Sequence, residues 1–364
     1  MEQGYERASQ TTVSYTRAFA PLGGGLVSSC QERVQEAVLE SVHPVTLGWL
    51  TLPSATCHAY TWQLQTPTYA DAMALPNRVC WRSVAKPFQF LPLWLSLSPH
   101  ERAVLPTEAI AIACASHSGM PTHLAWVQWW LNHLPAQSQV RLCCGVHPPL
   151  GLQGLPMSDP LVTAVLGASG VSSLHHNCSG KHSAFLNWMY RSHPEAWHSW
   201  RNDETSMQYP EAVLNVWCRL IETWLLEQAI PEVSSLSWHY DGCTLPVPST
   251  SFETLARAYH ALWKNPVTRP ILLAMAKHPE LVAGTTAPTQ HLGDWRLDTY
   301  LMRQSTSSDT GTCSSLVSKS GAEALVCVLR LSTGEVCVCK VWTGHQPTRD
   351  SLVPQLLQSH GWLG

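Results

Sequence analysis

Ser83-Val-Ala-Lys86, Ser116-His-Ser118 and Lys319-Ser-Gly321 are short strings whose side chains could cleave an amide or an ester. A serine hydroxyl is a poor nucleophile at neutral pH and needs a base within hydrogen-bond reach. A lysine three residues along a helix shares the serine's face, so Ser83 and Lys86 could supply nucleophile and base together. S-x-x-K alone is a weak signal. It gains weight from Lys319, which enters a predicted strand and could form a second pair with Ser116. Spacing leaves open which serine attacks. Ser83 also has a plainer reading. Pro87 is tolerated only in a helix's first turn, which puts Ser83 at or near an N-cap, a position serine favours anyway.

Asn177-Cys-Ser-Gly-Lys-His182 is a second cluster, with Phe185, Trp188 and Met189 opening a helix face behind it. Gly180 permits a tight turn there. A lysine and a histidine at a helix N-terminus face the unfavourable end of the dipole, a cost that points to a site. The alternative is that Lys181 snorkels into solvent. Asp241-Gly-Cys243 is a third cluster. Cys178, Cys243 and Asp241 would suit zinc, although neither cysteine belongs to a C-x-x-C pair and a lysine ligand would have to be deprotonated. A polar, metal-free patch weighs about the same. Glu323 alternates with Gly321 and Lys319 on one strand face, where it could bind a cation or pair with Lys319.

These groups need elements to hold them. Residues 1–25 read as a flexible leader ending in Gly23-Gly-Gly25, and two or three strands follow between about 26 and 64. Helices are expected from the Ser83 region, from Ser98-Pro99, over 124–134, and over 210–229, where Val213, Val216, Trp217, Leu220 and Trp224 recur at helical spacing. Thr250-Ser-Phe-Glu253 reads as a capping box opening a helix through Trp263. Another helix covers 269–282 and stops at Gly284. Strands occupy 317–341, with a hairpin turn at Ser332-Thr-Gly334, and a last helix covers about 350–358. Strands at both chain ends and helices between them predict an α+β or α/β sandwich with a helical lobe. One domain over 26–364 is expected, its sheet lobe from about 26–80 and 315–364 and its helical lobe and motif loops from about 81–314. A site would lie in the crevice between the lobes.

The chain has 364 residues, of which 45% are hydrophobic and 13% charged, with a formal net charge of -3. It is long enough to bury a sizeable core. It has no basic run, which argues against nucleic acid as a partner, and no apolar run of membrane-spanning length. The N-terminus has no secretory pattern. The 13 cysteines form no regular framework, which suggests reduced thiols in a cytoplasmic protein. Cys337 and Cys339 would share a strand face as small buried hydrophobes. The 17 tryptophans are expected in the core or between the lobes.

The motif order S-x-x-K, S-x-polar, K-[ST]-G resembles that of the serine β-lactamases and penicillin-binding proteins. A closer resemblance is carried by Arg82-Ser-Val-Ala-Lys-Pro-Phe-Gln89, Ala115-Ser-His-Ser-Gly119, His176-Asn-Cys-Ser-Gly-Lys-His182, Asp241-Gly-Cys243, Ala283-Gly-Thr285 and Lys319-Ser-Gly-Ala-Glu323. Together they resemble the bacterial asparaginase II family, the thermolabile, serine-dependent L-asparaginases. The resemblance implies a β-lactamase-like fold and hydrolysis of L-asparagine to L-aspartate and ammonia. It implies two Ser-Lys tandems, Ser83 with Lys86 and Ser116 with Lys319, and substrate contacts at Arg82, His117, His182, Asp241 and Glu323. Cys178, Lys181, Asp241 and Cys243 would form a substrate-orienting or zinc-holding cluster, with no cofactor required. The implied partner is a small molecule, and a homodimer is left open. Glutamine, a β-lactam or a peptide amide are alternative substrates, and a non-catalytic binding protein on this scaffold is a third reading. The chain departs from the family pattern at Met120, usually glutamate, at Thr244 and Ala324, usually glycine, at Leu245, commonly valine, and over 286–290, which lacks the usual arginine.

Overall fold

The computed structural model describes residues 45–51, 61–65, 78–135, 140–152, 155–156, 158–167, 170–230, 232–233, 236–284, 296–304 and 315–363. The expected leader and most of the expected N-terminal strand region lie outside these residues. The described chain is α+β, with two antiparallel sheets. The strands are β1 (Val45–Thr51), β2 (Thr61–Gln65), β3 (Arg78–Cys80), β4 (Ser237–Tyr240), β5 (Pro246–Ser251), β6 (Leu316–Gly321), β7 (Leu325–Arg330) and β8 (Val336–Val341). One sheet runs β2-β1-β8-β7-β6, so both ends of the chain build it. A smaller sheet, β3-β5-β4, was not expected from the sequence.

Side chains alternate across a strand, and the larger sheet feeds two cores. Val317, Cys327, Leu329, Val336 and Val338 join the helical layer. Leu316, Val326, Val328, Cys337, Cys339 and Val341 join a second cluster with Leu352, Val353 and Leu357 of the C-terminal helix. Cys337 and Cys339 do share one face, as buried free thiols. β6 is an edge strand covered by the helix Leu297–Gln304, which is how a lysine on it can be fully buried. Five tryptophans, Trp81, Trp94, Trp188, Trp197 and Trp217, are among the fully buried side chains of the helical layer.

Several expected elements shift. Helix Glu211–Glu227 buries Val213, Trp217 and Trp224 but leaves Leu220 exposed. The expected helix over 269–282 is two, Arg269–Lys277 and Pro279–Val282, because Pro279 cannot donate to the preceding turn. Helix Phe252–Lys264 is capped by Ser251, whose side chain accepts from Thr254 N–H. Thr250 belongs to β5 and Glu253 falls one place short of the capping-box position, so that box does not form. The last helix starts at Gln346, four residues before the expected position. Gly180 is not a turn glycine. It lies inside helix Ser179–Ser192, where a Cβ would sit 2.2 Å from the Ile112 carbonyl oxygen of helix Thr107–Ala113.

Candidate active site

Ser83 lies in a 3-10 turn, Arg82–Ala85, that runs directly into helix Lys86–Ser96. The position matches the expectation, but no cap bond from the Ser83 side chain forms; Ala85 is the helix's N-cap residue. The turn is held from several sides. Trp81 N–H donates to Pro248 O at 2.9 Å, Trp81 Nε1 to Thr250 Oγ1 at 2.7 Å, and Tyr259 OH to Val84 O at 2.7 Å. Arg82 sits in the left-handed region with φ 48°, an uncommon conformation for a side chain of its size. Its Nε pairs with Asp241 Oδ1 at 2.9 Å. Strain of this kind persists only where the surroundings impose it, and here it immediately precedes Ser83.

Lys86 is completely buried and makes three bonds. Its Nζ donates to Ala115 O at 2.6 Å, to Ser116 Oγ at 2.9 Å and to Asn177 O at 3.1 Å. Ser116 is fixed in turn by its N–H, which donates to Val282 O at 2.8 Å. Burial lowers the Lys86 pKa from the usual lysine value. Cys178 and Cys243 partly oppose the shift, and the neighbouring Lys181 cation adds to it. The two carbonyls need two N–H groups. The third direction can therefore hold either N–H donated to Ser116 or a lone pair receiving the Ser116 proton, with no change in geometry. Among the described residues, Ser83 Oγ has no partner.

Lys319, on β6, is also fully buried. Its Nζ donates to Ser320 O at 2.7 Å and lies 3.6 Å from Asp298 Oδ2. The expected Ser116–Lys319 pair is thus not the one these bonds make: Lys86 holds Ser116, and Asp298 faces Lys319. Asp298 was missed in the sequence. It accepts from Ser318 Oγ at 2.6 Å, Ser320 Oγ at 2.8 Å and Ser320 N–H at 2.8 Å. Burial lowers the Lys319 pKa to about 8 despite the Asp298 charge, with Lys86 and Arg296 pushing the same way.

A cavity of about 420 Å³ is lined by both Ser83 and Ser116, a size suited to a small ligand. Arg296, Asp298, Arg349 and Asp350 also reach its wall. No local pattern marks these four in the sequence, and only folding brings them to the serines.

The second cluster adjoins the first. Lys181 Nζ donates to Cys243 Sγ at 2.9 Å, and Cys243 Sγ lies 3.9 Å from Asp241 Oδ2. Lys181 is buried, not snorkelling. Burial opposes its charge, but Cys243, Cys178 and Asp241 outweigh that and raise its pKa. A hydrogen bond from Cys178 leads in holding the Cys243 thiol well below its ordinary value, and Lys181 adds to it against burial. Among the described residues, no three His, Cys, Asp or Glu side chains converge as a metal-binding group. Two sulfurs and an amine are donors zinc accepts, provided Lys181 gives up its proton. Asp241 is already committed to Arg82.

Three expected substrate contacts lie elsewhere. His117 is buried, accepting from Gly119 N–H at Nδ1 (3.1 Å) and meeting Ser179 Oγ at Nε2 (2.8 Å). His182 is buried against Tyr209 OH, 2.9 Å from Nδ1. Burial holds both imidazoles well below the usual histidine range, so they are neutral braces. Glu323 is exposed, in the β6–β7 turn with φ 59°, so the strand alternation expected of it ends at Gly321. Two of the family departures carry strain: Thr244 has φ 73° and Ala324 φ 55°, the region that glycine enters freely.

The family described as L-asparaginase II matches residues 56–364. This covers most of the chain, and the protein belongs to the L-asparaginase II family, which makes it an amidohydrolase acting on a small molecule. No curated protein matches it. Among the described residues, no helix is long and apolar enough to cross a membrane.

Proposed function

We propose that the protein hydrolyses the side-chain amide of L-asparagine to L-aspartate and ammonia through a lysine-activated serine, on a β-lactamase-like scaffold spanning 26–364. The observation that carries this reading is the buried Lys86, held by two carbonyls and 2.9 Å from the Oγ of Ser116, which lines one cavity together with Ser83. Ser83 has the uncommitted hydroxyl and attacks the carboxamide carbon. Its proton passes through Ser116 to Lys86, whose lowered pKa suits it to receive one. The same relay returns the proton to the leaving nitrogen, and ammonia departs. Water then attacks the acyl-serine, Lys86 taking its proton through Ser116 and returning it to Ser83 Oγ as the acyl C–O bond breaks and L-aspartate leaves. The Lys319 ammonium stands beside the developing negative charge.

No cofactor is required in this scheme. A zinc ion at Cys178, Lys181 and Cys243 would supply Lewis-acid polarisation beside the cavity. The free state of all ten described cysteines supports a reducing, cytoplasmic setting in a bacterial cell. Nucleic acid has no part in the scheme, and a homodimer is compatible with it.

The test is ammonia release by the purified protein from L-asparagine and L-glutamine, with and without chelator, for the wild type and for Ser83→Ala and Ser116→Ala. Each substitution is expected to cost at least about 100-fold. Near-normal turnover in both variants would refute the mechanism. A preference for glutamine would change the substrate, and loss of activity with the chelator would assign the second cluster to a metal.

A further inference from the structure

The cavity carries more charge than breaking an amide bond needs. Four charged side chains reach its wall: Arg296, Asp298, Arg349 and Asp350. Two of them are spent. Asp298 is 2% exposed, with both oxygens engaged by Ser318, Ser320 and Lys319. Arg349 is buried, with Nη1 on Gly321 O and Leu325 O, and Nε and Nη2 on Asp350 Oδ1.

The other two retain capacity. Arg296 commits only Nη1, which donates to Ser116 O at 3.1 Å and Ala283 O at 3.2 Å. Among the described residues its Nε and Nη2 have no partner. Asp350 gives Oδ1 to Arg349, its Oδ2 has no partner among the described residues, and its side chain is 43% exposed. A cation and an anion whose charges also act on each other, each with hydrogen-bonding atoms to spare among the described residues, thus share a cavity with two serine hydroxyls. An α-amino acid carries one carboxylate and one ammonium, the complement of that pair. Arg296 also grips the backbone of Ser116, so a carboxylate on it is registered against the reacting centre.

We propose that Arg296 and Asp350 form a subsite for the α-amino-acid end of the substrate, Arg296 taking the carboxylate and Asp350 the ammonium. The inference rests on the asparaginase reading and specifies how that substrate is told from a plain amide. Arg349 is the positioning residue that holds Asp350 in place.

The test uses binding and turnover separately. Calorimetry compares L-aspartate with succinate, which lacks the ammonium, and β-alanine, which lacks the α-carboxylate. Wild type should favour L-aspartate over either by about tenfold or more, the worth of one charge-assisted hydrogen bond. Asp350→Asn should erase the preference over succinate and keep the preference over β-alanine. Arg296→Lys, which retains charge but not the fork, should do the reverse. In turnover, Asp350→Asn should lose activity on L-asparagine but not on succinamate. An unchanged aspartate-to-succinate ratio in Asp350→Asn overturns the subsite while ammonia release from L-asparagine keeps the asparaginase reading. Selective L-aspartate binding without ammonia release does the opposite. Should Asp350→Asn fail to fold, the wild-type ligand series decides alone: equal affinities for all three ligands refute the subsite.

Discussion

Lys86 and Lys181 each stand in the first turn of a helix, at the end whose dipole disfavours a cation, and both are buried. Their chemistry nevertheless differs in direction. Lys86 meets two carbonyl oxygens and a hydroxyl, all neutral, so burial prevails and its pKa falls. Lys181 meets Cys243 with Cys178 and Asp241 behind it, so negative partners overcome burial and its pKa rises. Burial alone therefore does not make a lysine a base; the charge of its partners does. One lysine can exchange a proton, and the other is a fixed cation whose charge favours the neutral form of Lys86.

The largest test of this contrast is Lys86→Met, which removes the proton acceptor. Ammonia release should fall by about 10³–10⁴-fold with little change in fold. Lys181→Met should chiefly cost stability, by about 3 kcal/mol of unfolding free energy in a denaturant titration, because it leaves the Cys243–Asp241 side of a buried pair uncompensated. If Lys181→Met instead abolishes turnover in a fully stable protein, the two lysines do not divide the work this way. A smaller effect is expected in the pH profile. Activity should rise with pH as Lys86 loses its proton, and fall as Lys319 loses its own near pH 8. Lys319→Arg stays charged across that range, so its alkaline limb should move to higher pH. A limb left in place would exclude Lys319 as its source. The smallest effect concerns backbone strain beside the two lobes of the site. Ala324→Gly should stabilise by about 0.5–1 kcal/mol, the relief of a left-handed alanine less the chain entropy of glycine. Thr244→Gly should gain less, since Thr244 Oγ1 also donates to Cys143 O at 2.8 Å.

Much of the site was legible because its chemistry is written in contiguous strings. Ser83 and Lys86 are joined by a single turn, and Lys319 enters β6 as expected. The β7–β8 hairpin was legible from Gly334, which has φ 76° at the turn. Other readings failed where a local pattern was shared between elements. Thr250 looks like a cap until β5 claims it for a ladder, and Glu323 looks like a strand residue until the turn rotates it out to solvent. Asp298, Arg296 and Asp350 lie in text with no catalytic spacing, and their role depends on distance in space alone.

By itself the sequence determined which functional groups exist, which of them share a turn of helix or a strand face, and where proline and glycine break those elements. Those are properties of neighbouring residues, set by backbone sterics over a few bonds. Partner choice belonged to the tertiary structure: Lys86 with Ser116, Lys319 with Asp298, Lys181 with Cys243. Each pair joins segments far apart in the chain. The protonation state of a buried amine follows from the few atoms within hydrogen-bond reach, which are assembled only once the core has closed.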